Sequence, residues 1–222
     1  MAEIVQAVKL FTREWSAARV AWRTQDPGLY AVAPAEPVDR IIEVMATPFG
    51  ALVRTILHQQ VSIYAGRSIV SKLSDACGGE IHPERVLALT PDDLRAAGLS
   101  QAKIRYVRAL AEAAIHGALD DVEELTDDEI EHRLVALPGV GVWTVRMFQL
   151  FHLGRPDVFS GGDLGLREAI RVLDRVTEAP SPSEAERRAE VWRPYRSIAS
   201  VILWDFLRQT REAQRALRPA RA

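Results

Sequence analysis

The chain of 222 residues has little cysteine and no long apolar stretch. Its single cysteine, Cys77, excludes an internal disulfide and any zinc or iron–sulfur site that needs several cysteine ligands from this chain. No segment approaches the roughly 18 consecutive apolar residues of a membrane span, and residues 1–15 lack the apolar core of a signal peptide. These features predict a protein of a reducing, cytoplasmic compartment that has no membrane partner.

An excess of positive charge is also missing, because 28 lysines and arginines face 30 aspartates and glutamates. A formal net charge of −2 does not predict a nucleic-acid-binding protein. It does not exclude one either, because a local basic patch or a set of main-chain N–H groups can bind phosphate. The basic residues are almost all arginine, and only three are lysine. Arginine suits phosphate binding, although the base composition of the genome explains this bias more simply.

Apolar residues recur at helical spacing along most of the chain, and the alternation typical of strands is absent. Thr90, Ser100 and Thr126 each stand where a helix-capping residue is expected. Later segments that we expect to be helical cover residues 142–153, 163–176 and 196–217. The sequence therefore predicts an all-α fold of roughly ten helices.

A glycine-containing turn, LPGVG at residues 137–141, separates two of the predicted helices. Glycines two residues apart permit positive φ values and a close approach of the backbone. Main-chain N–H groups of Gly139, Gly141 and Trp143, at the start of the second helix, can form a phosphate site that the helix dipole reinforces. By itself the turn is equally compatible with an ordinary connection between two helices.

Four more segments accompany this turn: HQQVS at residues 58–62, GLSQAK at 98–103, a glycine-containing loop that ends at Asp163, and WRPYRS at 192–197. Together the five segments resemble the helix-hairpin-helix DNA glycosylase superfamily, and within it the alkylpurine branch of 3-methyladenine DNA glycosylase II. The resemblance extends from Pro48 to Phe206. Residues 1–45 match poorly and are too short for the additional N-terminal β-domain that some members carry.

The resemblance implies two helical lobes with an active-site cleft between them. One lobe is expected to comprise residues 1–47 and 164–222. The other is expected to comprise residues 48–163, with the helix-hairpin-helix motif at 128–153. The implied partner is double-stranded DNA that contains alkylated bases, bound by a monomer without an obligate protein partner and, in a bacterium, at the nucleoid.

The resemblance assigns the catalytic carboxylate to Asp163. A fixed carboxylate beside the sugar stabilises the positive charge that develops as the base leaves, and it can orient the attacking water. Aspartate at a helix start is also a common N-cap, and the two interpretations are compatible. Bifunctional members carry a lysine where this chain has Trp143, which cannot form a Schiff base. A monofunctional enzyme that leaves an abasic site is therefore implied.

The resemblance also assigns residues to the flipped base. Trp143, Trp204 and Met147 are expected to line the base pocket, where aromatic faces attract an alkylated, positively charged purine. Met147 departs from the aromatic residue of some members, and core packing is the alternative for each tryptophan. Gln60 is expected to fill the gap that the flipped base leaves in the duplex, with helix capping as the alternative.

The remaining implied contacts lie on the hairpin. The residues expected to bind DNA phosphate are Gly139, Gly141, Trp143 and Thr144. Three main-chain carbonyls are expected to hold a monovalent cation, Na⁺ or K⁺, those of Val135, Leu137 and Val140. No other cofactor is expected.

The implied reaction is hydrolysis of the N-glycosidic bond of an alkylated purine, such as 3-methyladenine, in base excision repair. The residues do not rank 3-methyladenine, 7-methylguanine, ethenoadenine and hypoxanthine as substrates. Three alternatives stay open: a lesion-sensing DNA-binding module without catalysis, a glycosylase for oxidised or deaminated bases, and a helical scaffold protein.

Overall fold

Every regular element in the described part of the chain is a helix. The computed structural model describes residues 4–37 and 47–217. The α-helices there are α1 Ile4–Gln25, α2 Pro27–Val32, α3 Pro48–His58, α4 Ile63–Ala76, α5 Pro83–Ala88, α6 Pro91–Ala96, α7 Gln101–Ile115, α8 Asp127–Leu134, α9 Val142–Phe151, α10 Leu164–Leu173, α11 Pro182–Ala189 and α12 Arg196–Ala216. A 3-10 turn, Glu190–Trp192, follows α11. The predicted all-α fold is confirmed, and none of these helices is long and apolar enough to cross a membrane.

The predicted capping residues stand at helix starts. Thr90 and Thr126 form capping boxes with Asp93 and Glu129, and Ser100 accepts a hydrogen bond from the Lys103 N–H. Each cap satisfies main-chain N–H groups that the first helical turn leaves without a partner. These local rules explain why the middle of the chain can be divided into helices from the sequence.

The chain divides into two compact units. The described part of the first unit is residues 47–153, and that of the second is residues 4–37 with 154–217. The division therefore falls earlier than the predicted boundary between residues 163 and 164. Residues 38–46, which the prediction assigns to the N-terminal lobe, lie outside the described residues.

The loop that leads to Asp163 belongs to the second unit because α12 binds its main chain. The Val158 N–H donates to Ser197 Oγ at 2.9 Å, and the Ser197 N–H donates to the Pro156 carbonyl at 3.1 Å. Asp157 pairs with Arg193 and Arg196 at 2.7 and 2.8 Å. The loop is thus fixed to the start of α12 ahead of Asp163.

The core of the first unit is built around α3, on which α4, α7 and α9 pack. Leu52, Ile56 and Leu57 of α3 have no exposed surface. Burying a side chain of this size contributes roughly 1.5–3 kcal/mol. The C-terminal end of α3, which precedes Gln59 and Gln60, is therefore held by the core.

In the second unit, a buried carboxylate joins the N-terminal helices to the 3-10 turn. Asp26 is the N-cap of α2, directly after the end of α1. It accepts hydrogen bonds from the Leu29 N–H, the Trp192 indole and the Arg188 guanidinium at 2.9, 2.7 and 2.6 Å. Burial raises the pKa of Asp26, but these bonds outweigh it and hold the pKa below its ordinary value.

Candidate active site and nucleic-acid interface

Asp163 is the N-cap of α10, and two donors fix its carboxylate. Oδ1 accepts a hydrogen bond from the Leu166 N–H at 2.8 Å and another from Trp204 Nε1 at 3.0 Å. One donor lies on the first turn of α10 and the other on α12, and these two helices pack together. The Asp163 side chain is only half-buried. A single residue thus combines the cap with an oriented, accessible carboxylate.

Gly165, which none of the sequence motifs singles out, makes room for this pair. A Cβ at Gly165 would lie 3.0 Å from Asp163 Oδ1 and 3.2 Å from the Trp204 indole. Glycine destabilises a helix, so a glycine two residues after the N-cap Asp163 is a sign in the sequence that this position has a special role. Gly165 therefore permits the contact between carboxylate and indole.

The two glycines before Asp163 have different surroundings. A Cβ at Gly161 would lie 2.3 Å from the Pro182 carbonyl, and the Gly161 N–H donates to Glu186. A Cβ at Gly162 would meet no described atom within 4 Å. Gly161 is needed for packing, whereas the exposed backbone at Gly162 leaves space beside Asp163.

The hairpin turn shows the same contrast. Gly139 has φ +81°, and a Cβ there would lie 2.3 Å from Cγ of Tyr106. Gly141 is the N-cap of α9, with φ −102° and ψ 175°. A Cβ at this position would meet no described atom within 4 Å. The fold requires glycine at 139. At 141 the absent side chain instead leaves the start of α9 open to an approaching group.

Gln60 lies in the turn between α3 and α4 and is exposed, with φ +56°. Its neighbour Gln59, to which the sequence analysis gives no role, donates from Nε2 to the Gly139 carbonyl at 2.9 Å and to Thr144 Oγ1 at 3.0 Å. Lys103 Nζ donates to the Leu57 carbonyl at 2.7 Å, and burial lowers the pKa of this lysine. The turn that carries Gln60 is therefore bonded both to α7 and to the hairpin.

The hairpin between α8 and α9 and the aspartate at the start of α10 both lie in a segment that matches a known protein family. A profile of the HhH-GPD superfamily of base excision DNA repair proteins matches residues 53–194, which is more than half of the chain. The chain belongs to the HhH-GPD superfamily.

Named relatives come from the alkylpurine branch of the superfamily. DNA-3-methyladenine glycosylase 1 of Schizosaccharomyces pombe is 32% identical over 162 residues, which cover 71% of this chain and 71% of that protein. The structure of 3-methyladenine DNA glycosylase Mag1 of S. pombe with abasic DNA has a TM-score of 0.79 at 28% identity, covering 85% of this chain and 95% of that chain. The DNA-3-methyladenine glycosidase of Bacillus halodurans has a TM-score of 0.71 at 32% identity, covering 86% and 89%.

The other predicted site residues of this HhH-GPD chain differ in accessibility. Trp143 on α9 and Trp204 on α12 are half-buried. Met147 is 5% exposed, so little of its surface is open to a base. Thr144 is 1% exposed and its hydroxyl accepts the Gln59 hydrogen bond, so little of this residue is open to a phosphate.

The carbonyls predicted to hold a cation follow the end of α8. Val135 is the C-cap of that helix, and the Leu137 carbonyl accepts a hydrogen bond from the Val140 N–H at 3.1 Å. Main-chain oxygens at a helix C-terminus suit a hard monovalent cation, because the helix dipole is negative there. The donor chemistry therefore fits the predicted ion. Within residues 4–37 and 47–217, no cluster of three His, Cys, Asp or Glu side chains could hold a metal.

Proposed function

We propose that the protein is a monomeric, monofunctional DNA glycosylase that hydrolyses the N-glycosidic bond of alkylated purines in duplex DNA. The single observation that carries this proposal is the Asp163 carboxylate, which the Leu166 N–H and the Trp204 indole fix at the start of α10. The named relatives support the alkylpurine class of substrate. Because the reaction removes a purine base from DNA, it is a first step of base excision repair.

Asp163 acts on the sugar. As the bond between C1′ and the purine nitrogen breaks, the base takes the bonding electron pair and positive charge develops on the sugar. A carboxylate whose direction is already fixed stabilises that charge without reorganising. Water then adds to C1′, and the carboxylate can accept the proton that the water loses. The products are a free base and an abasic site.

The hairpin binds one DNA phosphate through main-chain N–H groups. The open backbone at Gly141 and the N-terminus of α9 supply these donors, with Trp143 and Thr144 next in the chain. The carbonyls of Val135, Leu137 and Val140 would hold Na⁺ or K⁺, which supplies positive charge beside the phosphate. Neither contribution requires a basic side chain, which is compatible with the net charge of −2.

The flipped base and the gap that it leaves are handled by other residues. Gln60 fills the gap in the duplex, which offsets part of the cost of unstacking. Trp143 and Trp204 offer half-buried aromatic surface to the base, and Met147 offers the small accessible part of its side chain. Because Trp143 stands where bifunctional members have lysine, no Schiff base forms there and the DNA strand stays intact.

The test compares the wild type with Asp163→Asn on methylated duplex DNA. Asparagine keeps the size of the side chain and an oxygen for the Leu166 cap but removes the charge. We expect the wild type to release methylated bases and leave sites that break only in alkali. We expect the variant to release them about 10²–10⁴-fold more slowly.

Other outcomes of this test would contradict particular parts of the proposal. Equal release by both proteins would remove Asp163 from catalysis. Breaks without alkali would contradict the monofunctional assignment. Lesion binding without base release by the wild type would favour the non-catalytic sensing module. Release from oxidised or deaminated duplexes alone would favour the other glycosylase class.

A further inference from the structure

The turn that carries Gln60 is joined to the hairpin by the side chain of Gln59. The Gln59 amide donates to the Gly139 carbonyl, 80 residues further along the chain, and to the Thr144 hydroxyl, 85 residues further along. Gly139 belongs to the turn of the hairpin, and Thr144 belongs to the first turn of α9. One amide group therefore connects the α3–α4 turn to both parts of the predicted phosphate site.

Both acceptors of this amide are themselves held firmly. Gly139 has a positive φ, and its Cα rests against the ring of Tyr106 on α7, since a Cβ would lie 2.3 Å from Cγ of that ring. Thr144 is 1% exposed in the core of the first unit. The Gln59 side chain is consequently bonded to fixed points and not to mobile surface groups.

The α3 side of the turn is fixed as well. Lys103 donates to the Leu57 carbonyl, one of the carbonyls at the end of α3 that has no partner within the helix. A positive charge also interacts favourably with the dipole at that end. On the α4 side, His58 packs against Gly66, where a Cβ would lie 2.4 Å from the His58 ring. The turn is thus held from both directions.

Gln60 itself has a backbone conformation that glutamine disfavours. A φ of +56° is rare for residues other than glycine and persists only when the surrounding contacts impose it. The contacts described above hold Leu57, His58 and Gln59, the three residues directly before it. The position of the exposed Gln60 therefore depends on its neighbours more than on its own preference.

We propose that Gln59 is a positioning residue that fixes the spacing between the phosphate-binding hairpin and Gln60. When the hairpin binds a backbone phosphate, the Gln59 amide brings Gln60 to a defined place in the same duplex. Phosphate contacts fix the position of a protein along the duplex. Because the distance from the hairpin to Gln60 is also fixed, Gln60 enters the duplex at the correct base step. This inference rests on the proposed function for the roles of Gln60 and the hairpin.

The experiment is a double-mutant cycle between Gln59→Leu and Gln60→Ala. Leucine keeps most of the volume of glutamine and removes both hydrogen bonds. Excision is measured in single turnovers on a duplex that contains one alkylated purine. Insertion is measured separately, as the fluorescence of 2-aminopurine placed opposite a tetrahydrofuran abasic analogue, which needs no chemistry.

We expect Gln59→Leu to slow excision about tenfold, because it removes two hydrogen bonds that hold Gln60 in place. In the Gln60→Ala background the same change should have an effect of less than about twofold, because the residue through which it acts is gone. Affinity for undamaged duplex should be retained, since the hairpin itself is unaltered. Thr144→Val, which removes one of the two bonds, should give a smaller loss with the same dependence on Gln60.

The matched control is Gln149→Leu. Gln149 is a fully buried glutamine of the same unit, and its Nε2 donates to the Asp127 carbonyl at 3.0 Å. It should lower the thermal stability and leave insertion unchanged. Equal losses of insertion in both variants, or a Gln59→Leu effect of the same size with and without Gln60, would overturn the positioning role.

The fluorescence assay separates this inference from the proposed function. A wild type that inserts Gln60 at the abasic analogue but releases no base would contradict the glycosylase and still test Gln59. Should Gln59→Leu fail to fold, Thr144→Val carries the same comparison through its effect on insertion.

Discussion

The indole N–H of Trp204 is expected to contribute to catalysis independently of its aromatic face. Its Nε1 donates to Asp163 Oδ1 at 3.0 Å, and the Leu166 N–H donates to the same oxygen at 2.8 Å. Trp204→Phe removes the first donor and retains an aromatic ring for stacking against a base. The substitution therefore separates the two functions that Trp204 combines.

The magnitude follows from the type of bond. A hydrogen bond to a charged acceptor contributes about 1.5–3 kcal/mol, and about 1.4 kcal/mol corresponds to a tenfold change in rate. Because the Leu166 cap remains and Asp163 is half-buried, the loss should lie near the lower limit. We expect Trp204→Phe to slow single-turnover excision about tenfold while binding of an abasic analogue changes little.

A second tryptophan of the same unit provides the control. Trp15 is 2% exposed, and its indole donates to the Pro34 carbonyl at 3.1 Å, so Trp15→Phe removes a bond of the same kind that does not involve a carboxylate. It should lower the melting temperature and leave excision unchanged. If Trp204→Phe excises at the wild-type rate while Trp204→Leu does not, the tryptophan acts through stacking alone and the reasoning is refuted.

Three further substitutions test DNA binding at Gly141, the stability of the hairpin at Gly139 and the acid stability of the fold at Asp26. Gly141→Ala should weaken duplex binding about tenfold at nearly unchanged melting temperature, whereas Gly139→Ala should lose about 2 kcal/mol or more of stability, because of its positive φ and the Tyr106 ring. Unchanged binding by Gly141→Ala in a filter or anisotropy titration would contradict the phosphate site. The lowered pKa of Asp26 means that this carboxylate stabilises the fold above about pH 4 and that this stability is lost as the pH falls through the lowered pKa. Asp26→Asn should therefore be less stable at neutral pH and show a shallower loss of melting temperature in acid, and parallel acid profiles would contradict this.

Local features of the fold could be predicted because they depend on neighbouring residues. Ser100 and Thr126 are recognisable as caps from the residues that follow them, and Asp163 is recognisable at its helix start. The bond from Gln59 to Gly139 and Thr144 could not be anticipated, because it joins residues 80 and 85 positions apart. Periodicity carries no information about such a pair.

The sequence also leaves the burial of individual side chains undetermined. Thr144 and Met147 share α9 with Trp143, yet they are 1% and 5% exposed and the tryptophan is half-buried. A helix of mostly apolar residues gives no polar stripe from which its accessible face could be inferred. The boundary after Leu153 could not be predicted for a related reason, since a functional residue such as Asp163 marks chemistry and not the edge of a packing unit.

The glycines of the candidate sites can be divided by what requires them. Gly139 and Gly161 are explained within the chain, because a Cβ at either position would lie 2.3 Å from described atoms. At Gly165 a Cβ would lie 3.0–3.2 Å from Asp163 and Trp204, close enough to press on the contact between them. Gly141 and Gly162 have no positive φ, and a Cβ added at either position would meet no described atom within 4 Å, so no contact in the described fold demands glycine there. Each precedes a helix, α9 and α10, that starts with a predicted site. A glycine that the fold does not need, placed where a helix N-terminus meets solvent, is the arrangement expected where a large polyanion must approach the backbone closely.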